Sequence, residues 1–319
     1  MYDLIIIGGG PAGLTAAIYA IRKRLNVLLI TKDLGGKTNY RMQLPQIDHH
    51  LVINGEEVVN KFVNEIEYLE FARAMDAVEQ IEIAPSHESA GVDYLVRTRG
   101  GTQYTTRALL IATGAQPQRL EVPGEREFLM RGISYSAISY ASLFVDRAAV
   151  VIGDSGLALR AVAELARVAK QVTLVAPAHG ELGSAPGRRL RSAANVAILE
   201  GYAVERINGV NFAQSLTLVK DGHVRELAAD VFFVELGLSP NSALVAELVE
   251  RDEQGRILID SRNRTSAPGI FAAGDVTNAF AEQVLIAIGE GAKAALAAYE
   301  YLLELPAAEK EPSGPEEWR

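Results

Sequence analysis

Short, wholly apolar runs, each closed by a glycine-bearing turn and followed by an Ala/Leu-rich stretch, set the pattern of this chain. Tyr2 to Ile7 reads YDLIII, with no polar residue after Asp3. A run without alternation predicts a strand buried on both faces, as in a parallel sheet. Leu14 to Ile21 then predicts a helix and Val27 to Ile30 the next strand, together one βαβ unit. The pattern returns at Ala149 to Ile152, with a helix expected over Leu157 to Lys170 and a strand over Val172 to Val175. Two copies of one supersecondary unit predict an α/β protein with two dinucleotide-type domains.

Between the copies, Ala108 to Gly114 predicts a strand ending in a glycine turn, and Gln116 to Arg131 an exposed crossover. A second crossover is expected near Ser239-Pro240-Asn241. Beyond it, Ile270 to Asp275 predicts a strand with a Gly-Asp end, and Glu282 to Leu305 a long helix. The Pro/Glu/Lys-rich segment Pro306 to Arg319 is expected to be a mobile tail. Residues 1–117 and 244–319 are thus expected to form one discontinuous domain, with 118–243 inserted into it.

Composition narrows the chemistry. A chain of 319 residues exceeds one ordinary core, and 49% apolar with 22% charged residues suits a globular protein. No apolar run is long enough for a membrane span, and the N-terminus has neither a basic leader nor a cleavage site. A cytoplasmic protein without a membrane partner is therefore expected. A net charge of −9 disfavours nucleic acid. The absence of cysteine removes disulfides, thiolate zinc sites and iron–sulfur ligation. The five His show no metal spacing, and His49-His50 are expected on a solvated loop.

Gly8, Gly10 and Gly13 form G-x-G-x-x-G between the first strand and helix. The first glycine permits the tight turn, the second lets backbone approach a pyrophosphate, and the third lets helix and strand pack closely. The phosphate charge would meet the helix N-terminus.

The stretches IIIGGGPAGLTAAIYA, LLIATGAQPQRLEVPGE and TSAPGIFAAGDV resemble the low-molecular-weight thioredoxin reductase family. The resemblance covers nearly all of the chain except the middle domain's ligand loops and the tail. It implies two Rossmann-like, three-layer ββα domains, the second inserted into the first, an FAD cofactor and a homodimer. By that resemblance Gly8, Gly10, Pro11, Ala12 and Gly13 hold the FAD pyrophosphate. Thr31, Gly36 and Lys37 follow the second strand, and Ala112, Thr113 and Gly114 line the cofactor's path. Gly274 and Asp275 face the ribityl or pyrophosphate region, and Glu282, Gln283 and Val284 the isoalloxazine edge, Gln283 through its backbone N–H. Three departures stand out: Gly35-Gly36-Lys37 replaces G-G-Q, Gln43 to His50 replaces N-[WY]-P-G, and Glu282 replaces an arginine. Lys37 is either a charge at the flavin's pyrimidine edge or a solvated lysine.

Against the family's second phosphate loop, G-x-G-x-x-A, the chain reads Gly153, Ser155, Gly156 and Ala158, with Asp154 adding a negative charge. A side chain at Ser155 stands where backbone should approach a pyrophosphate. The next strand ends Val175-Ala176-Pro177-Ala178-His179, where the family carries the arginines that pair with the 2′-phosphate of NADPH. NADPH and NADH are both poorly served, leaving ADP, a second FAD or no ligand for this domain. The basic run Gly187 to Arg191 is either a replacement charge source or a solvated helix face.

The segment GISYSAISY at 132–140 occupies the place of the family's C-x-x-C. Ser136 and Ser139 stand at the two cysteine positions and Tyr140 at the acid's, so no catalytic residue is assigned there. A hydroxyl forms neither a disulfide nor a thiolate. Tyr135 and Tyr140 either stack near the flavin or pack at an interface. The expectation is an FAD-dependent oxidoreductase exchanging electrons directly at the flavin with ferredoxin, flavodoxin, a second flavin or a small molecule. Its use of NADPH would be weak or absent. A non-catalytic flavin-binding sensor or assembly protein is the second reading. A relative of the ferredoxin/flavodoxin–NADP reductases, with Trp318 of the tail covering a flavin, is the third.

Overall fold

The structure is a computed structural model that describes residues 1–39, 42, 55–69, 72–85 and 92–305. His49, His50, the Gln43 to His50 segment, Trp318 and the rest of the tail lie outside the described residues. In chain order the elements begin β1 (Tyr2–Ile7), α1 (Pro11–Arg22), β2 (Val27–Thr31), α2 (Gly55–Tyr68), β3 (Arg73–Met75), β4 (Val78–Ala84), β5 (Asp93–Thr98), β6 (Gln103–Ile111) and β7 (Ala115–Pro117). They continue β8 (Ile133–Ser134), α3 (Ala137–Tyr140), β9 (Ala148–Ile152), α4 (Gly156–Leu165), β10 (Gln171–Ala176), α5 (Ala185–Arg191), β11 (Val196–Glu200), β12 (Ala203–Gly209), β13 (Ala213–Lys220), β14 (His223–Ala228) and β15 (Val231–Val234). They close with β16 (Leu238–Pro240), β17 (Ile270–Ala272) and α6 (Val284–Glu304).

Two compact units result. Met1–Asn39, Asn54–Gln116 and Ser239–Arg319 form the first, and Tyr40–Ile53 with Pro117–Leu238 the second. The chain rejoins the first unit at Ser239 rather than at residue 244. The reason is local: Asn241 already bonds Thr113 and Gly114, and the Ser242 hydroxyl donates to the Gly255 carbonyl at 2.5 Å. Met42 belongs to the second unit and is buried in its core.

The sheet of the first unit runs β3-β2-β1-β6-β5-β4, with β17 also on β6. β6 serves two layers: Gln103 to Thr106 pairs antiparallel with β5, and Leu109 to Ile111 pairs parallel with β17. The continuous apolar run of β1 is explained by two cores. Leu4 and Ile6 face α1 and α6, whereas Ile5 and Ile7 face Val96, Val245 and Ile257. α1 and α6 meet through Ala16, Ala17, Ala294 and Ala298, and Gly291 faces the Ala12 backbone so closely that a Cβ would not fit.

The second unit repeats this logic in a fully parallel sheet, β11-β10-β9-β15-β8. Val151 and Phe233 pack on the helical side, with Val150 and Phe232 on the other. That other side is covered by the antiparallel sheet β12-β13-β14, a layer the apolar pattern did not announce. The helix expected to Lys170 closes at Leu165, where Arg167 and Val168 make three-residue turns to Glu164 and Leu165.

Candidate functional site

The turn between β1 and α1 separates glycines the backbone requires from one it does not. Gly8 has φ +110°, and a Cβ there would overlap the Ala112 carbonyl; at Gly13 it would overlap the Gly8 carbonyl oxygen. Gly10 differs. It is the N-cap of α1 at φ −75°, ψ −177°, and no atom lies within 4 Å of where its Cβ would be. Pro11 starts the helix, so the amides of Ala12 and Gly13 end it without intrahelical partners.

Groups from distant stretches gather around that helix end. The Gly35 amide donates to the Gly9 carbonyl at 2.8 Å, and Gly36, at φ +56°, lies against the Gly10 Cα. Thr31 sends its hydroxyl to the Asp33 carbonyl at 2.6 Å, shaping the turn that delivers Lys37. Gly274, at φ +77°, abuts Ala12, and beside it Asp275 Oδ2 meets Lys37 Nζ at 2.5 Å. Lys37 is therefore paired, not merely solvated.

Two residues expected to contact the cofactor also have partners within the chain. The Thr113 hydroxyl donates to the Asn241 carbonyl at 2.7 Å. Asn241 returns its amide to the Thr113 carbonyl at 2.9 Å. In the sequence Asn241 reads only as part of a crossover, and its Ser-Pro-Asn turn is the available signal. The Gln283 amide donates to the Ala281 carbonyl at 3.1 Å, so it is not offered outward; Val284, first residue of α6, presents the outermost helix amide. Glu282 is exposed.

In the second unit Gly153 has φ +148°, and a Cβ would overlap the Glu235 carbonyl, while Ala158 is buried against it. Ser155 is the N-cap of α4, yet its hydroxyl makes no cap bond and is buried without a partner. The first-turn amide of Gly156 instead donates to Glu181 Oε1 at 2.8 Å. Asp154 accepts the Ala178 amide on its side chain at 3.1 Å and the Glu181 amide on its carbonyl at 2.8 Å. Nearby, Glu200 meets His179 Nδ1 and the Arg191 guanidinium, each at 2.7 Å. Those two bonds, Arg191 first, hold its carboxyl below the usual range. Arg191 is thus bound rather than simply solvated, and Arg188 donates to the Gly183 carbonyl.

At the serine pair, Ser136 Oγ and Ser139 Oγ are 2.8 Å apart, each the other's partner. The intervening Ala137 amide donates to Glu235 Oε1 at 2.6 Å. Tyr135 donates to Glu125 Oε1 at 2.9 Å; burial first, and then this carboxylate, push its phenol well above the ordinary value. Tyr140 packs against the second unit's core. Both tyrosines therefore have packing partners inside the second unit.

The sequence profile described as pyridine nucleotide-disulphide oxidoreductase matches residues 2–296. The chain belongs to that family. This oxidoreductase is 31% identical to a thioredoxin reductase structure from Streptococcus pyogenes, with a TM-score of 0.82, covering 96% of this chain and 99% of that one. A thioredoxin reductase from Giardia duodenalis gives 27% identity and a TM-score of 0.82, over 95% of this chain and 99% of that one. Among curated relatives, the F component of the alkyl hydroperoxide reductase of Pseudomonas putida is 31% identical over 96% of this chain. The oxidoreductase spans 59% of the length of that relative.

The family is one of FAD-binding oxidoreductases. The first unit fits that cofactor: a helix N-terminus, open space at Gly10, and a charge-balanced Lys37–Asp275 pair suit a dinucleotide pyrophosphate. The second unit does not fit a nicotinamide dinucleotide in the same way, since its helix-end amide already has a carboxylate. Among the described residues no helix is long and apolar enough to cross a membrane, and no group of three or more His, Asp or Glu is placed to hold a metal ion.

Proposed function

We propose that this oxidoreductase exchanges electrons with its partner directly at the flavin, without a protein dithiol, and with little or no use of NADPH. The observation that carries the reading is the serine pair. Two hydroxyls 2.8 Å apart stand where the related thioredoxin reductases would carry a disulfide, and no cysteine exists elsewhere in the chain to replace it. FAD supplies the two-electron redox chemistry. The chain's residues do the holding: Gly8, Gly10, Pro11, Ala12 and Gly13 cradle the pyrophosphate, with Gly36 and Lys37 over it. Ala112, Gly114, Gly274 and Asp275 line the remainder, and the α6 end at Val284 offers its amides to the flavin edge. The partner is a one- or two-electron carrier, such as ferredoxin, flavodoxin, another flavin or a small molecule. A cytoplasmic homodimer is proposed with it, in keeping with the family.

Anaerobic stopped-flow mixing with NADPH, NADH and reduced ferredoxin tests the reading. Flavin reduction is expected to be fast with a carrier and slow with both nicotinamides. Rapid reduction by micromolar NADPH would overturn it.

A further inference from the structure

We infer that Glu181 is a specificity residue that excludes nicotinamide dinucleotides, its carboxylate standing in for a pyrophosphate at the α4 N-terminus. The inference deepens the functional reading above and rests on its claim that NADPH is not the donor.

A pyrophosphate on a dinucleotide fold takes its hydrogen bonds from the first-turn amides of the helix after the first strand, favoured by the positive end of the helix dipole. In the second unit that amide, Gly156 N–H, donates to Glu181 Oε1 at 2.8 Å. A Cβ built on Gly156 would lie 3.1 Å and 3.3 Å from the two Glu181 oxygens, so the carboxylate lies on the glycine itself. The carboxylate is held by its own backbone. The Glu181 amide donates to the Asp154 carbonyl at 2.8 Å, and Gly180, at φ +43°, closes against Asp154 where no Cβ would fit. The Ala178 amide adds a bond to the Asp154 carboxylate at 3.1 Å. The segment 178–181 is thereby tied to Asp154 of the phosphate loop at Ala178, Gly180 and the Glu181 amide.

The cations nearby are also satisfied internally. His179 and Arg191 both bond Glu200 at 2.7 Å, so a 2′-phosphate would compete with that carboxylate for either cation. Glu181 thus takes the Gly156 amide and Glu200 two nearby cations, groups that an incoming dinucleotide would use. Ser155, with its buried hydroxyl at the N-cap, narrows the approach further.

The test is equilibrium binding of NADPH, NADH and ADP to flavin-loaded full-length protein, read by calorimetry and by nicotinamide fluorescence. The proteins compared are wild type, Glu181→Gln, Glu181→Ala and the double variant Ser155→Gly/Glu181→Ala. Flavin content and melting temperature confirm that each is folded. Wild type is expected to bind none of the three, Glu181→Ala to gain at least tenfold in ADP affinity, and the double variant more. Glu181→Gln keeps the shape without the charge and should gain less. If all three variants bind as poorly as wild type, the Glu181 inference fails and the functional reading stands. If wild type itself binds NADPH tightly, both fail.

Discussion

Replacing Gly10 and Gly13 by alanine should have opposite effects on fold and cofactor. Gly10 sits at φ −75°, ψ −177°, backbone that alanine adopts freely, and its Cβ would meet nothing within 4 Å. A residue of that kind stabilises a fold by about 0.4–1 kcal/mol, because the unfolded chain loses conformational freedom. The flavin-free Gly10→Ala protein should therefore melt slightly higher than flavin-free wild type. The open space around Gly10 is where the pyrophosphate of FAD is proposed to lie. A methyl group there costs about 1–3 kcal/mol of overpacking in the complex. At roughly 1.4 kcal/mol per decade, FAD affinity should fall about 5- to 150-fold. Gly13→Ala places its Cβ onto the Gly8 carbonyl oxygen, so strand and helix must part, and the flavin-free protein itself should melt lower. The assay is the melting temperature of both apoproteins, with FAD affinity from quenching of flavin fluorescence. Unchanged FAD affinity in Gly10→Ala would refute the placement of the cofactor on this turn. A destabilised Gly10→Ala apoprotein would refute the geometry.

Ser136→Cys/Ser139→Cys should form an internal disulfide: the oxygens are 2.8 Å apart and a sulfur pair needs about 2.05 Å. Closing so short a loop is worth about 2 kcal/mol, and thiol titration of the unfolded, unreduced variant should find no free thiol; two free thiols after air oxidation would contradict the geometry. Lys37→Ala should weaken FAD binding about fivefold, and in an Asp275→Asn background the same change should do less, a coupling near 1 kcal/mol that a double-mutant cycle on FAD affinity measures. Tyr94 is buried, donates to the Pro268 carbonyl, and has its phenol pushed up to about 12 by burial first and by neighbouring Tyr301 second. Because the folded state favours its neutral form, that contribution is intact below pH of about 10 and is lost as pH rises toward 12. Urea midpoints at pH 9 and 11.5 should diverge in wild type and diverge less in Tyr94→Phe, since Tyr135 and other raised phenols remain.

β1, β2, β6, β9, β10, β17, α1, α4 and α6 were legible because each buried strand carries apolar residues on both faces, and the two cores that demand this are visible at Leu4 to Ile7 and at Val150 to Ile152; α2, β3 to β5, β11 and β15 were not read from the sequence. β12 to β14 escaped because β12 and β14 are mostly exposed, so burial stamps a strand pattern only on β13, through Leu216 and Leu218. At the turns, Gly8, Gly13 and Gly153 follow from the backbone, because positive φ or close approach leaves no alternative residue. The hydrogen-bond assignments were not legible. The Thr113 hydroxyl and Glu181 take partners chosen by tertiary folding over separations that a linear motif does not encode.

The two phosphate loops of this chain show which glycines answer to the backbone and which to a ligand. Gly8 and Gly153 occupy corresponding first positions, and each has positive φ with a neighbouring carbonyl where a Cβ would stand. Neither can change without moving a strand, whether or not a nucleotide binds. The second positions, Gly10 and Ser155, carry no such requirement, since both have extended backbone that any residue adopts. Only the approach of a ligand's phosphates would keep a side chain out. The first unit has kept the small residue and the open space beside it; the second has accepted a serine and drawn its own carboxylate onto the helix end. A retained first glycine is therefore no evidence of a bound dinucleotide. The second position, with whatever caps the helix behind it, is where the proposed difference in ligand between the two units lies.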